Sequence, residues 1–418
     1  MKILFLSDNF VPEVNAPASR TFEHCKDWAS AGHSVVVVTC VPNFPAGRIF
    51  NGYRNWPWQK ELIEGIKVIR VWSYITSNSG FVRRTLDYLS FMITGFLAGV
   101  FVRRPDIIIG TSPQFFVVCG AWLISAVKRK PFVFELRDLW PESIKAVGAI
   151  RDGLTLRFLE SVELFLYKRA RRIVSVTHSF KDALSARGVS PDKISVVTNG
   201  VDLSQFGERP KDRDLLGQLR LSEKFIVGYI GTHGMAHGLT TILEAAKVAS
   251  ERDELKNVFF LFVGDGAERQ NLLEMAERMQ LSNVLLLRTV PKCDIAKYWS
   301  ILDVAVIHLK DHPLFRTVLP SKLFESMGMG IPVLLGLAGE AADIVLRERI
   351  GAVFRPGSAV DLVDQIQYYL SDPVALETCR KYALRAALKY DRSSLAAKML
   401  RILSDVVVTD RENKQLRP

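Results

Sequence analysis

Short apolar runs punctuate the chain, and between most of them apolar positions recur at helical spacing. The runs Ile3–Leu6, Val35–Thr39, Val68–Trp72, Ile107–Gly110, Phe132–Glu135, Ile173–Val176 and Ile194–Val197 read as strands. Ala18–Ala31, Phe115–Val127 and Leu154–Arg169 read as helices. Apolar strands alternating with amphipathic helices predict a parallel, doubly wound α/β sheet. The turn-rich break Thr198-Asn199-Gly200-Val201-Asp202 and the polar stretch Gly207–Asp214 interrupt this pattern. A second series then starts: Phe225–Ile230, Val258–Val263, Val284–Leu287, Val304–His308, Val333–Leu335 and Ala352–Phe354. From Ala359 to about Val408 the chain reads as helical, and Thr409–Pro418 as a polar, frayed tail. The expectation is two Rossmann-like domains, residues 1–200 and 201–389, facing a cleft. A C-terminal helix over about 390–410 is expected to cross back to the first.

Totals agree with two cores, since 418 residues exceed what one ordinary domain holds. Hydrophobic content of 48% and charged content of 24% mark a globular chain rather than a disordered one. A formal net charge of +11 favours anionic partners. Without an RNP-like signature or zinc-finger spacing, nucleic acid is the weaker choice among them, and none is expected. A mean hydropathy of +0.13 hints at apolar surface that is buried or touches a membrane. The five cysteines are scattered without a CxxC, as reduced thiols are. The apolar run after Met1 is too short for a signal peptide.

Candidate chemistry concentrates in the second half. In Pro320-Ser321-Lys322-Leu323-Phe324-Glu325-Ser326-Met327-Gly328-Met329-Gly330-Ile331-Pro332 a proline opens a helix, placing Lys322 near its N-terminus and Glu325 on the same face. A cation beside orphan backbone N–H groups reads as a phosphate seat. Glu325 is positioned to accept from sugar hydroxyls. Gly231-Thr232-His233-Gly234-Met235-Ala236-His237-Gly238 lies between a strand and a helix, where backbone amides point at phosphates and His233 or His237 adds a donor. A plain turn needing glycine for its backbone angles is the competing reading. Gly264-Asp265-Gly266 likewise ends a strand and reads either as a base or ribose contact or as a structural turn.

The first half offers less. No GxGxxG follows the first strand, which argues against a dinucleotide oxidoreductase. Asn15 and the small residues after it form a loop that faces an acceptor or is merely structural. Glu135, Arg137, Asp138 and Glu142 cluster after a strand, as acceptor contacts or as an internal Arg–Asp pair. Asp212-Arg213-Asp214 looks like a solvated turn rather than a metal-binding pair, and no cluster reads as a metal site. Thr85–Val102 is mostly apolar, with one acid, Asp87, and is flanked by Arg83-Arg84 and Arg103-Arg104. It is a transmembrane span, a buried crossover helix, or a helix half sunk in an anionic membrane surface. The aromatic loop Phe50–Trp58 is a candidate neighbour for it.

Taken together, these segments resemble the retaining GT-B glycosyltransferases of family 4. The resemblance rests on Gly32–Thr39, Asn199-Gly200-Val201-Asp202, Val263–Gly266 and Pro320–Pro332. Arg137-Asp138-Leu139-Trp140-Pro141-Glu142-Ser143 is similar to a bacterial surface-polysaccharide branch, the WbuB-type N-acetylfucosamine transferases. The resemblance implies sugar transfer with retention and without metal or cofactor. The leaving diphosphate itself would take the acceptor's proton. Lys322, Glu325, Asp138 and Arg137 are the implied catalytic residues. Gly231, Thr232, His233, Gly234, His237, Gly264, Asp265, Gly266, Thr317, Pro320 and Ser321 are the implied donor contacts, with Asn15, Glu135 and Glu142 on the acceptor side. Of the two glutamates of the family's donor motif, the second falls on Glu325 and the first on Thr317. The family's usual Arg and Lys of the glycine loop are also missing. The implied partners are a UDP-sugar and an undecaprenyl-diphosphate-linked saccharide, at the cytoplasmic face of a bacterial inner membrane. Two rival expectations are a UDP-sugar 2-epimerase of the same fold and a non-catalytic nucleotide- or membrane-binding subunit.

Overall fold

The computed structural model describes residues 1–44, 46–76, 81–139 and 153–415. It divides into two compact units, Met1–Thr198 with Arg392–Pro418, and Asn199–Asp391.

In the first unit β1 (Lys2–Leu6), α1 (Ala16–Ser30), β2 (Ser34–Cys40), β3 (Trp58–Ile63) and β4 (Ile66–Val71) come first. Then follow α2 (Phe81–Phe101), β5 (Ile107–Thr111), α3 (Phe115–Lys128), β6 (Phe132–Leu136), α4 (Leu154–Arg169), β7 (Arg172–Ser175), α5 (His178–Ala186) and β8 (Ile194–Val196). The sheet order is β3-β4-β2-β1-β5-β6-β7-β8. Among the described residues only β3 runs antiparallel, paired with β4. Helices cover both faces, so most strands carry unbroken apolar runs. Edge strand β3 alternates exposed and half-buried positions instead, and the apolar-run pattern misses it. Its hairpin turns on Glu64 and Gly65, both with positive φ, as a two-residue type I′ loop requires.

The second unit contains α6 (Arg213–Leu219), β9 (Phe225–Ile230), α7 (Thr240–Ser250), β10 (Val258–Val263), α8 (Arg269–Arg278), β11 (Val284–Leu287), α9 (Ile295–Ser300) and β12 (Val304–His308). It continues with α10 (Ser321–Met329), β13 (Val333–Gly336), α11 (Glu340–Glu348), β14 (Gly351–Val353), α12 (Ala359–Ser371) and α13 (Pro373–Ala387). All its strand pairs are parallel, in the order β11-β10-β9-β12-β13-β14. Asp212 caps α6 by accepting from Leu215 N at 2.9 Å, so the Asp-Arg-Asp stretch starts a helix rather than forming a solvated turn.

The last helix, α14 (Arg392–Gln415), belongs to the first unit. Leu395, Ala396, Met399 and Leu403 join Ile3, Phe5, Val35, Val37 and Ile107 in one core, and Trp28 Nε1 donates to Ala396 O at 2.9 Å. The tail expected to fray is helical to Gln415. Buried Asp410 accepts from Lys414 at 2.6 Å, and Arg411 pairs with Asp106 at 3.0 Å. These polar side chains tie the helix end down, which a polarity pattern alone does not reveal.

Candidate functional site

Each sheet changes direction beside a central strand, at β1/β5 in the first unit and at β9/β12 in the second. Ligands of open α/β sheets bind outside the carboxyl ends of strands at such points. In the second unit the glycine loop after β9 lies there.

Two glycine loops press together backbone to backbone. His233 N donates to Asp265 O at 2.8 Å, and Glu268 N donates to His233 O at 2.9 Å. A Cβ on Gly264 would lie 1.9 Å from Gly231 O, and one on Gly266 would lie 2.4 Å from His233 O. Packing between the loops is therefore sufficient reason for both glycines, while Asp265 accepts from Gly266 N at 2.8 Å. The His233 ring is fully buried, and among the described residues neither of its nitrogens is hydrogen-bonded. Burial, with the charges of Lys322 and Arg269, pushes it down to about 4. Burial and Lys322 likewise push His237 down to about 3. Both imidazoles are neutral at physiological pH.

Helix α10 places Lys322 on this loop. Its Nζ donates to Tyr229 Oη at 2.5 Å and lies 3.9 Å from the centroid of that ring. A Cβ on Gly231 would be 2.2 Å from Lys322 Cε, so glycine makes room for the lysine stem. Burial lowers the ammonium to about 7, against the opposing pull of Glu325 on the same helix. Pro320 precedes the first helical residue, Ser321. Thr317 lies in the 3₁₀ turn Pro313–Thr317, and its hydroxyl donates to Leu314 O at 2.7 Å.

His308, at the end of β12, braces the loop from behind. Its Nδ1 bonds the His237 carbonyl at 2.7 Å and must donate, because a carbonyl only accepts. Its Nε2 accepts from Gly357 N at 3.0 Å. This fixes one neutral tautomer, and burial lowers its basicity further.

In the first unit, Glu135 is buried and paired with Arg20 of α1, Nε to Oε1, at 3.0 Å. Arg20 also donates to the carbonyls of Thr198 and Val197. Arg137 donates to the carbonyls of Pro17 and Ala16 at 3.2 and 3.1 Å. The Asp138 amide donates to Ser112 Oγ at 3.3 Å. Asn15 caps α1 by accepting from Ala18 N at 2.9 Å. Glu135 and Arg137 thus fasten α1 to the carboxyl end of β6, while Asn15 only caps α1. Glu142 lies outside the described residues.

Sequence reasoning missed Tyr229, which reads as one more apolar strand residue. It also missed a polar group at the β1/β5 point. Asn9 donates to Glu13 at 3.0 Å and accepts from Gln114 at 3.0 Å, and Glu13 accepts the amides of Asn43 and Phe44. Burial, with the charges of Asp87 and Glu13, raises Asp8 to about 8, and burial raises Asp87 to about 7. Carboxyls directly after a first strand, in Ser7-Asp8-Asn9-Phe10-Val11-Pro12-Glu13, were the available signal.

Helix α2 buries Phe91, Ala98 and Gly99, the last so close to α3 that a Cβ would lie 2.2 Å from Ile124 Cδ1. Its outer stripe, Leu86, Ile93, Leu97 and Phe101, is apolar and exposed. Trp58 meets Phe101 edge-on at 6.3 Å. Among the described residues no helix is long and apolar enough to cross a membrane, and no cluster could hold a metal ion.

Two parallel-sheet domains with a lysine-bearing helix over a glycine loop are the architecture of GT-B enzymes, and the comparisons agree. Residues 18–205 match the family described as Glycosyltransferase Family 4, and residues 213–386 match Glycosyl transferases group 1. The chain is a glycosyltransferase of GT-B fold. It belongs with the family 4 and group 1 enzymes whose two domains it carries. Over 79% of its length it is 26% identical to an Escherichia coli K12 protein named as a colanic acid biosynthesis glycosyl transferase, WcaI, covering 82% of that protein. Over 42% of its length it is 28% identical to the Escherichia coli UDP-Gal:alpha-D-GlcNAc-diphosphoundecaprenol alpha-1,3-galactosyltransferase, covering 44% of that enzyme. Among solved structures, Anabaena HepE in complex with UDP and glucose superposes with a TM-score of 0.70 at 17% identity, covering 97% of this chain and 100% of HepE.

Proposed function

We propose that this enzyme transfers a sugar, with retention of anomeric configuration, from a UDP-sugar to an undecaprenyl-diphosphate-linked saccharide in surface-polysaccharide synthesis. The transferred unit is an N-acetylated deoxy-amino sugar. The observation that carries the reading is Lys322 lying over the Gly231 turn at the start of α10. An ammonium, loop amides and a helix N-terminus converge where a leaving nucleoside diphosphate gathers charge. HepE, of the same fold, was solved with UDP, and the galactosyltransferase relative is named for a diphosphoundecaprenol acceptor. Glu325 holds sugar hydroxyls of the donor. The polar group around Asp8, with Asp138, orients the acceptor. Leu86, Ile93, Leu97 and Phe101 of α2, with Arg83, Arg84, Arg103 and Arg104 at its ends, rest on the anionic cytoplasmic face of the inner membrane.

A thermal-shift screen of nucleotide sugars identifies the donor, because a ligand of the folded state stabilises it by mass action. Lys322→Ala then slows transfer to a polyprenyl-diphosphate saccharide by about 100-fold, the scale of one lost transition-state donor. No stabilisation by any UDP-sugar, or full turnover in that variant, rejects the reading.

A further inference from the structure

Lys322 has an unusual companion. Its hydrogen-bond acceptor is a neutral phenol, and among the described residues its ammonium enters no ion pair. The Tyr229 hydroxyl gives its own proton to Thr232 O at 2.7 Å. Its lone pairs are therefore turned to the lysine, and one oxygen links Lys322 to the glycine loop. Tyr229 is buried, and burial raises its own pKa, so the phenol does not become a phenolate partner. Two of the three lysine N–H donors remain for a ligand.

We propose that Tyr229 is a positioning residue that parks Lys322 against the glycine loop, and that a nucleoside diphosphate seated there draws a proton onto the lysine as it binds. The inference rests on the reading that this loop seats the donor's diphosphate. A desolvated amine with only a phenol for company favours its neutral form, and an anion beside it restores the charge. The free lysine sits at about 7, so it is mostly neutral at pH 8 and becomes charged on binding.

The other titratable groups facing Lys322 do not supply this proton. His233 and His237 start at about 4 and about 3, too low for an anion to charge them at pH 8. The charge of Glu325, on the same helix, favours the ammonium. The charges of Arg269 and Asp265 act in opposite senses on His233.

The test is calorimetry of UDP binding to the full chain in two buffers of different ionisation enthalpy. At pH 8 the wild type takes up roughly nine-tenths of a proton per UDP, as linkage to a group near 7 requires. Lys322→Arg, which stays charged, binds UDP with no uptake. In Tyr229→Phe the lysine loses an acceptor that favours its charged form, so uptake extends to lower pH and exceeds the wild type at pH 6.5. A purely structural tyrosine would lower stability without moving that window. UDP binding without proton uptake at pH 8 overturns the inference and leaves the donor seat standing. Uptake undiminished in Lys322→Arg, or an unmoved window in Tyr229→Phe, overturns it as well. A failure of UDP to bind the wild type rejects the donor-seat reading itself.

Discussion

Arg20 Nε donates to Glu135 Oε1 at 3.0 Å with both side chains buried, which locks α1 onto the end of β6. Burial pushes the Glu135 carboxyl upward, but Arg20 and Arg137 outweigh it and hold it below the usual glutamate range. A carboxylate favoured in this way stabilises the fold above its unfolded pKa, and that gain fades as pH falls through the folded value. Glu135→Gln should cost about 3–5 kcal/mol at pH 7, because it strands the Arg20 guanidinium in the core. Thermal unfolding across pH 3–7 checks this: the gap between wild type and variant narrows toward acid.

Asp8 titrates in the opposite sense. Its folded carboxyl is raised to about 8, so its stabilising influence belongs to low pH and is lost as pH climbs from about 4 through 8. Asp8→Asn should therefore gain on the wild type as pH rises, by on the order of several kcal/mol at the top of that window. Its transfer rate should fall if Asp8 orients the acceptor. Paired melting curves at pH 5 and pH 8 provide the measurement, and a pH-independent difference contradicts the assignment.

Gly264→Ala would force a methyl to within 1.9 Å of the Gly231 carbonyl, at a φ of +155. Separating the two loops should cost about 1–3 kcal/mol and weaken UDP binding as well. Gly217→Ala, where a Cβ meets nothing within 4 Å, is the matched control and should do neither.

Leu97→Asp alters an exposed position of α2, so melting should move little. Flotation with anionic liposomes should drop sharply, since a carboxylate at the bilayer interface opposes both apolar insertion and the surface potential. Equal flotation of wild type and variant would remove the membrane role of this face.

The sequence exposed the architecture well, because strands buried on both faces must read as unbroken apolar runs. It hid β3, whose Gln59, Lys60 and Glu61 look like a loop until they pair along a sheet edge. The meeting of Lys322 with the glycine loop was legible, since cations, helix starts and flexible turns leave local marks. Tyr229 was not, because its hydroxyl acts through the distant Lys322 and nothing in Phe225–Ile230 sets it apart from core. The Glu135 pair was invisible for the same reason: its arginine lies 115 positions away.

The return of α14 to the first unit has a consequence for biosynthesis. Asn199–Asp391 is contiguous and can fold as it leaves the ribosome, whereas the first sheet waits for Arg392–Gln415 to cover one of its faces. The unit translated first is the one completed last. Nascent chains stalled before Leu395 should expose Phe5, Val37 and Ile107 to chaperones, and loss of the last helix should harm solubility before it harms any chemistry.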